Sequence, residues 1–162
     1  MKYLILFNLL ILMLLIGSCD NESFESISQK EIRDIFYELS LDFNLGNVGG
    51  MLDKVHNDYL HKGNILWHLN EEILDRMARF NLLEIEVLYI EFQGDRYAVA
   101  HTRDHYSSAI ENVSYNEPES SGFFSYFYRE NGVWLIYGNQ LWIKNSTPSP
   151  GRNLPQNIIR DH

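Results

Sequence analysis

A single cysteine in 162 residues leaves no internal disulfide framework and no cysteine-based zinc knuckle within one chain. Four prolines and ten glycines are too few, and a hydrophobic content of 45% too high, for a disordered or collagen-like chain. Basic residues are also scarce. Thirteen Lys and Arg against 22 Asp and Glu give a net charge of −9, which denies the chain the basic face that nucleic-acid phosphates require. No glycine-rich phosphate loop, Gly-x-Ser-x-Gly elbow or His-Glu-x-x-His helix occurs in the sequence. What remains is one compact domain with a distinctive start.

That start is Lys2, an apolar run from Tyr3 to Ile16 broken only by Asn8, then Gly17-Ser18-Cys19 and the polar stretch Asp20 to Ser23. Fourteen helical residues fall short of a hydrocarbon core of roughly 30 Å. A charged beginning, a short apolar core and small residues at its end describe a secretory signal, not a spanning helix. Ile16-Gly17-Ser18-Cys19 resembles the lipobox of bacterial lipoproteins. The resemblance implies that the Cys19 thiol is alkylated by a diacylglycerol and that cleavage leaves Cys19 as the mature N-terminus. Residues 1–18 are then a signal peptide, and the chain is exported and tied by lipid to a membrane of the cell envelope. Its loss removes Lys2, the only charge in that segment, and leaves 144 residues with a net charge of −10.

Residues 19–27 read as a tether. From Ser28 the period is helical: Ile32, Phe36, Leu39 and Phe43 recur at spacings of four, three and four, and Ser28 with Glu31 forms a capping-box pattern. A shorter helix is expected from Val48 to about Val55, then a polar kinked segment through His56 and His61. A third helix is expected from near Asn64, with Leu66, Leu69, Ile73, Met77 and Phe80 on one face. The period then changes to two. Strands are expected over Leu83–Phe92, Arg96–Ser108, Phe123–Arg129 and Val133–Ile143, with a loop at 109–119 and a tight turn at Glu130-Asn131-Gly132. Residues 144–162 read as a loose C-terminal tail, and Trp67 and Trp134 as core anchors.

Helices followed by long antiparallel hairpins make an α+β plan, with the helices packed on one sheet face. Two segments carry a family resemblance. Gly94-Asp95-Arg96-Tyr97-Ala98-Val99-Ala100 resembles a turn and alanine-bearing strand of the nuclear transport factor 2-like superfamily, and Phe127 to Ile136 resembles its closing hairpin. Together they place that domain over residues 28–143. The resemblance implies a cone, in which three N-terminal helices pack on a strongly bent antiparallel sheet around a pocket at the wide end. Members include isomerases, dehydratases, hydrolases and binders without catalysis, so function has to be argued from the site.

Proton-transfer groups cluster in two places. His56, Asp58, Tyr59 and His61 lie between the second and third helices, where the resemblance implies the pocket mouth. His101, Arg103, Asp104 and His105 lie on the long strand. On a helix, His101, Asp104 and His105 would converge as metal ligands. Strand alternation instead puts His101, Arg103 and His105 on one face and Asp104 and Tyr106 on the other. Two histidines beside an arginine make a poor cation site, and neither a metal nor a cofactor is expected. General acid–base chemistry would draw on His101, His105 and Asp104, with Glu91 as a further carboxylate. Tyr89, Tyr126 and Tyr137 could line a pocket for a small ring-bearing or amphipathic ligand, or simply pack.

One more expectation comes from the alternation. Ile85, Val87, Tyr89 and Glu91 form one face of their strand and Glu84, Glu86, Leu88, Ile90 and Phe92 the other, so both faces are substantially apolar. A sheet covered by helices on one side only should be polar on the other. The outer face is therefore expected to meet a partner, with a homodimer first in line. The alternative is a folded-back tail carrying Leu154, Ile158 and Ile159.

Overall fold

A computed structural model describes residues 23–108, 110, 113–116 and 123–142. The expected signal segment, Cys19, most of the 109–119 loop and the 144–162 tail lie outside the described residues.

The first helix, α1, runs from Phe24 to Asn44 and buries Ile32, Phe36, Leu39 and Phe43, the stripe expected from their spacing. It begins four residues before Ser28. Its cap is Ser23, whose hydroxyl accepts the Ser26 N–H at 3.2 Å. Ser28 lies one turn before Ile32 on the same stripe and is itself fully buried, so it cannot cap. The expected tether thus loses residues 24–27 to the helix, and Phe24 packs edge-on to Phe92 at 6.4 Å.

Helix α2 (Val48–Leu52) stops before Val55, because the chain after it joins the sheet. Val55 bridges Ile136 in parallel, with the His56 N–H donating to the Ile136 carbonyl at 2.9 Å. The polar segment that follows contains a small hairpin, β1 (Leu60–His61) with β2 (Asn64–Ile65), turned through Lys62 and Gly63 at positive φ. Helix α3 (Leu66–Arg79) buries Ile73 and packs Leu69 and Met77 against the core. Trp67 is not a core anchor: it points off that stripe and is 62% exposed.

Strands β3 (Leu82–Gln93), β4 (Tyr97–Ser108), β5 (Val113–Asn116), β6 (Phe123–Glu130) and β7 (Val133–Ile136) form one antiparallel sheet. Its order is β3-β4-β6-β7, with β5 pairing the last four residues of β4. Asn131 and Gly132 both have positive φ, as the expected two-residue turn requires. The register slips between Val87 and Tyr89. This bulge breaks the expected face sets: Leu83, Ile85 and Val87 pack inward, and beyond it Ile90 and Phe92 do so, leaving Tyr89 outward. An extra residue in one strand also bends it, which suits a sheet curled into a half-barrel around α1.

The last strand ends at Ile136, well short of Ile143. Gly138 and Gln140 take positive φ and turn the chain back onto the small hairpin. There the Leu60 N–H donates to the Tyr137 carbonyl (3.2 Å), Gln140 N–H to Leu60 (2.9 Å) and Gly63 N–H to Leu141 (2.8 Å). The core lies between α1 and the concave sheet face, where Phe36 meets Phe127 and Phe43 meets Tyr106 edge-on at 5.5 and 5.6 Å. Trp134, 2% exposed, anchors it as expected.

Candidate ligand-binding site

Helix α3 starts beside the β1–β2 hairpin and ends where Phe80 touches Tyr106 (5.4 Å) and the Asn81 N–H reaches the Ser107 carbonyl (3.1 Å). It therefore crosses the end of the sheet where β3 begins and β4 ends, taken as the open end of the fold. One turn apart on it, Arg76 donates to Glu72 Oε1 through Nε (3.2 Å) and Nη2 (2.8 Å). The same guanidinium lies 4.9 Å over the Tyr106 ring, and the Tyr106 hydroxyl donates to Asp104 Oδ2 at 3.1 Å. Burial opposes the charge on Arg76. The fields of Tyr106, Glu72 and Asp104 with the Glu72 hydrogen bond outweigh it and hold the guanidinium firmly charged.

Tyr59 and His61 complete the cluster from the hairpin side. Both are buried. Burial, reinforced by the nearby Glu72 carboxylate, raises the Tyr59 hydroxyl well above the usual phenol range. Burial, with the Lys62 charge, lowers His61 to about 4, and Glu72 only partly offsets this. His61 is thus a neutral imidazole at pH 7. Its Nδ1 accepts the Asn139 N–H at 3.4 Å, which puts the ring proton on Nε2. Its ring lies 5.8 Å from both Phe123 and Tyr126. The segment is held by side chains from after β7. Gln140 donates to the Tyr137 and Asp58 carbonyls (2.6 and 3.2 Å), and Asn139 Oδ1 accepts the Lys62 N–H (3.0 Å).

Of the residues expected from the sequence, this region gathers Tyr59, His61 and Asp104, and Tyr126 meets the His61 ring from the outer face of β6. The others go elsewhere. His56 and Tyr137 meet each other (5.0 Å) beside Tyr128. His56 Nδ1 accepts the Asp58 N–H at 2.9 Å, and Nε2 faces Glu130 at 3.4 Å. His101 and His105 are on the outer sheet face and Asp104 on the other, as strand alternation predicts. His101 stacks on Phe124 at 4.5 Å and touches Tyr89 at 5.0 Å. His105 lies 3.7 Å from Glu86, which Arg103 holds through Nε at 2.9 Å and keeps below the usual carboxylate range. Glu91 is exposed on the strand that carries Tyr89.

Glu72 and Arg76 are not among the residues the sequence points to, whereas Tyr106 belongs to its second cluster. Their spacing of i and i+4 on α3 is the sequence signal of the pair. An open groove of about 1100 Å³ between α1 and β3 also reaches Tyr106. Along it Asn44 clasps the Leu83 backbone (2.7 and 3.4 Å) and Arg33 donates to the Val87 carbonyl (3.2 Å), covering edge groups of β3. Among the described residues no group of three or more His, Cys, Asp or Glu side chains is placed to hold a metal, and no helix is long and apolar enough to cross a membrane.

No protein-family model matches the chain, and no curated protein does. Solved structures do. A Mycobacterium tuberculosis protein of unknown function aligns with a TM-score of 0.60 at 14% identity over 75% of each chain. A candidate scytalone dehydratase of Novosphingobium aromaticivorans aligns at 0.54 and 9% identity, over 71% of this chain and 83% of its own. A nuclear transport factor 2-like protein of unknown function from Shewanella oneidensis aligns at 0.53 and 10% identity, over 68% and 95%. The chain has the nuclear transport factor 2-like fold, as its turn and strand motifs implied.

Proposed function

We propose that this chain is a lipid-anchored protein of the bacterial cell envelope whose nuclear transport factor 2-like domain binds a small ligand at its open end. The observation that carries the binding reading is the juxtaposition of buried, neutral Tyr59 and His61 with the compensated Glu72–Arg76 pair. Such a cluster offers hydroxyl and imidazole hydrogen bonds beside aromatic rings and little net charge. It suits a neutral, polar-substituted ring better than an anion. A catalytic role for His101 or His105 is disfavoured, because the carboxylate within reach of His105 is already engaged by Arg103. The anchor reading rests on Ile16-Gly17-Ser18-Cys19 directly after the apolar run.

Native mass spectrometry on the chain starting at Asp20, purified from its own host, tests the ligand. A retained small-molecule mass that Tyr59→Phe and His61→Asn lose supports the reading; a wild-type spectrum without any retained mass overturns it. For the anchor, Cys19→Ser should abolish diacylglycerol labelling, and unchanged labelling would overturn it.

A homodimer is also proposed. Among the described residues no helix packs on the outer sheet face, which presents Tyr97, Val99, His101, Phe124 and Tyr128 as half-buried side chains. A monomer mass in sedimentation at micromolar concentration would overturn this.

A further inference from the structure

The end of the cone opposite the ligand site has its own surface. Phe24 begins α1 there, with the Arg129 guanidinium 5.0 Å over its ring. Arg129 Nε donates to the Gly132 carbonyl at 3.1 Å, which brings in the β6–β7 turn and Val133. Phe24 is 38% exposed, Ile27 41% and Val133 59%. Around them Arg96 and Arg129 stand beside Asp95 and Glu130, with Glu25 exposed on the first turn of α1 and Glu31 3.7 Å from Arg129. The tip thus sets three exposed apolar side chains beside two arginines, at the described end of the chain nearest Cys19.

The chain length fixes how far the tip can sit from the anchor. Five peptide steps separate Cys19 from Phe24, about 17 Å at full extension. The open end lies much farther off. Phe43, which touches Tyr106, is nineteen residues beyond Phe24 along α1, about 28 Å of helix. Laying the body flat on α1 or α3 would press the Lys30–Asp34, Lys54–Glu38 and Arg79–Asp75 pairs, with the exposed Glu71, onto headgroups. Flanks of paired charge gain little from an anionic interface. Standing on the tip sets Phe24, Ile27 and Val133 against the interface instead, where apolar side chains gain by leaving water.

We propose that the tip formed by Phe24, Ile27 and Val133 rests on the lipid surface to which Cys19 is tied, so that the open end with Tyr59, His61, Glu72 and Arg76 faces away from the bilayer. The proposal rests on the reading of Cys19 as lipidated. It deepens the binding reading as well: the ligand reaches the site from the aqueous phase and not from the membrane.

The test uses the full chain, lipidated in a bacterial host and reconstituted into phosphatidylethanolamine–phosphatidylglycerol vesicles containing a nitroxide-labelled lipid. Single variants Val133→Cys and Ile27→Cys probe the tip and Trp67→Cys the open end, each carrying a thiol-reactive fluorophore. Quenching at least threefold stronger at both tip positions than at position 67 is expected. Equal quenching, or stronger quenching at position 67, overturns the orientation while flotation with the vesicles and the diacylglyceryl mass uphold Cys19. A chain that lacks both overturns the Cys19 reading and the orientation with it.

Discussion

Arg76 lies 4.9 Å over the ring of Tyr106 while both Nε and Nη2 hold Glu72, so one guanidinium ties helix α3 to the strand that closes the open end. Its charge also sets how much of the Glu72 field reaches the hairpin side of the cluster. Arg76→Leu removes that compensation and leaves Glu72 facing His61. The His61 imidazole should then titrate above its present value of about 4 in an NMR pH titration of its ring carbon-bound protons. An unchanged midpoint would separate His61 from the ion pair. The cost in stability should stay near 1 kcal/mol or below, because both side chains are partly solvated.

His61 also makes folding depend on pH. Its folded value is about 4 and its ordinary value 6.5, so between these the unfolded chain binds more protons. Stability therefore rises with pH across that window, is complete above about 6.5, and is lost as pH falls toward 4, by about 3 kcal/mol in all. Urea unfolding at a series of pH values reads this directly. His61→Asn keeps an acceptor for the Asn139 N–H but cannot titrate, and should flatten the slope between pH 4 and 6.5. A slope unaltered in that variant would assign it to other groups.

Two glycines of similar φ should respond differently to alanine. Gly138 (φ 79°) faces the Leu60 carbonyl, whose oxygen would lie 2.3 Å from an added Cβ, whereas Gly132 (φ 87°) has open space around it. Gly132→Ala should cost only the left-handed backbone penalty, roughly 1–2 kcal/mol. Gly138→Ala must also push away the backbone that carries Tyr59 and His61, and should cost roughly 2–4 kcal/mol in thermal or urea unfolding. Equal losses would mean that the hairpin yields without cost.

Elements set by local periodicity were legible in the sequence, and contacts between distant segments were not. The α1 stripe of Ile32, Phe36, Leu39 and Phe43 and the Asn131-Gly132 turn need only neighbours along the chain. The bulge between Val87 and Tyr89 depends on how β3 fits β4, and the early end of β7 on what Gln140 and Leu60 exchange across the molecule. The site divides the same way. Tyr59 and His61 stood out as polar groups in an odd segment, but Glu72 was indistinguishable from any solvated helix charge until α3 was placed across the open end. His56, three residues before Tyr59, was drawn away because the parallel bridge at Val55 commits it to Tyr137 and Glu130.

Asp104 and His105 are adjacent in sequence and opposite in the sheet, so they separate the two proposed surfaces. Asp104 accepts from Tyr106 beneath Arg76, on the face toward the ligand cluster. His105 reaches Glu86 on the outer face. Asp104→Asn weakens the field that keeps Arg76 and Tyr106 aligned, and should reduce the retained ligand several-fold in native mass spectrometry while leaving the sedimentation mass unchanged. His105→Ala, or His101→Ala beside Phe124, should do the reverse: full ligand retention, with a shift of the dimer toward monomer. Loss of ligand on replacing either histidine would mean that the outer face takes part in binding after all, because neither side chain can reach the concave side through a strand whose Ala98, Ala100 and Thr102 are buried beneath it.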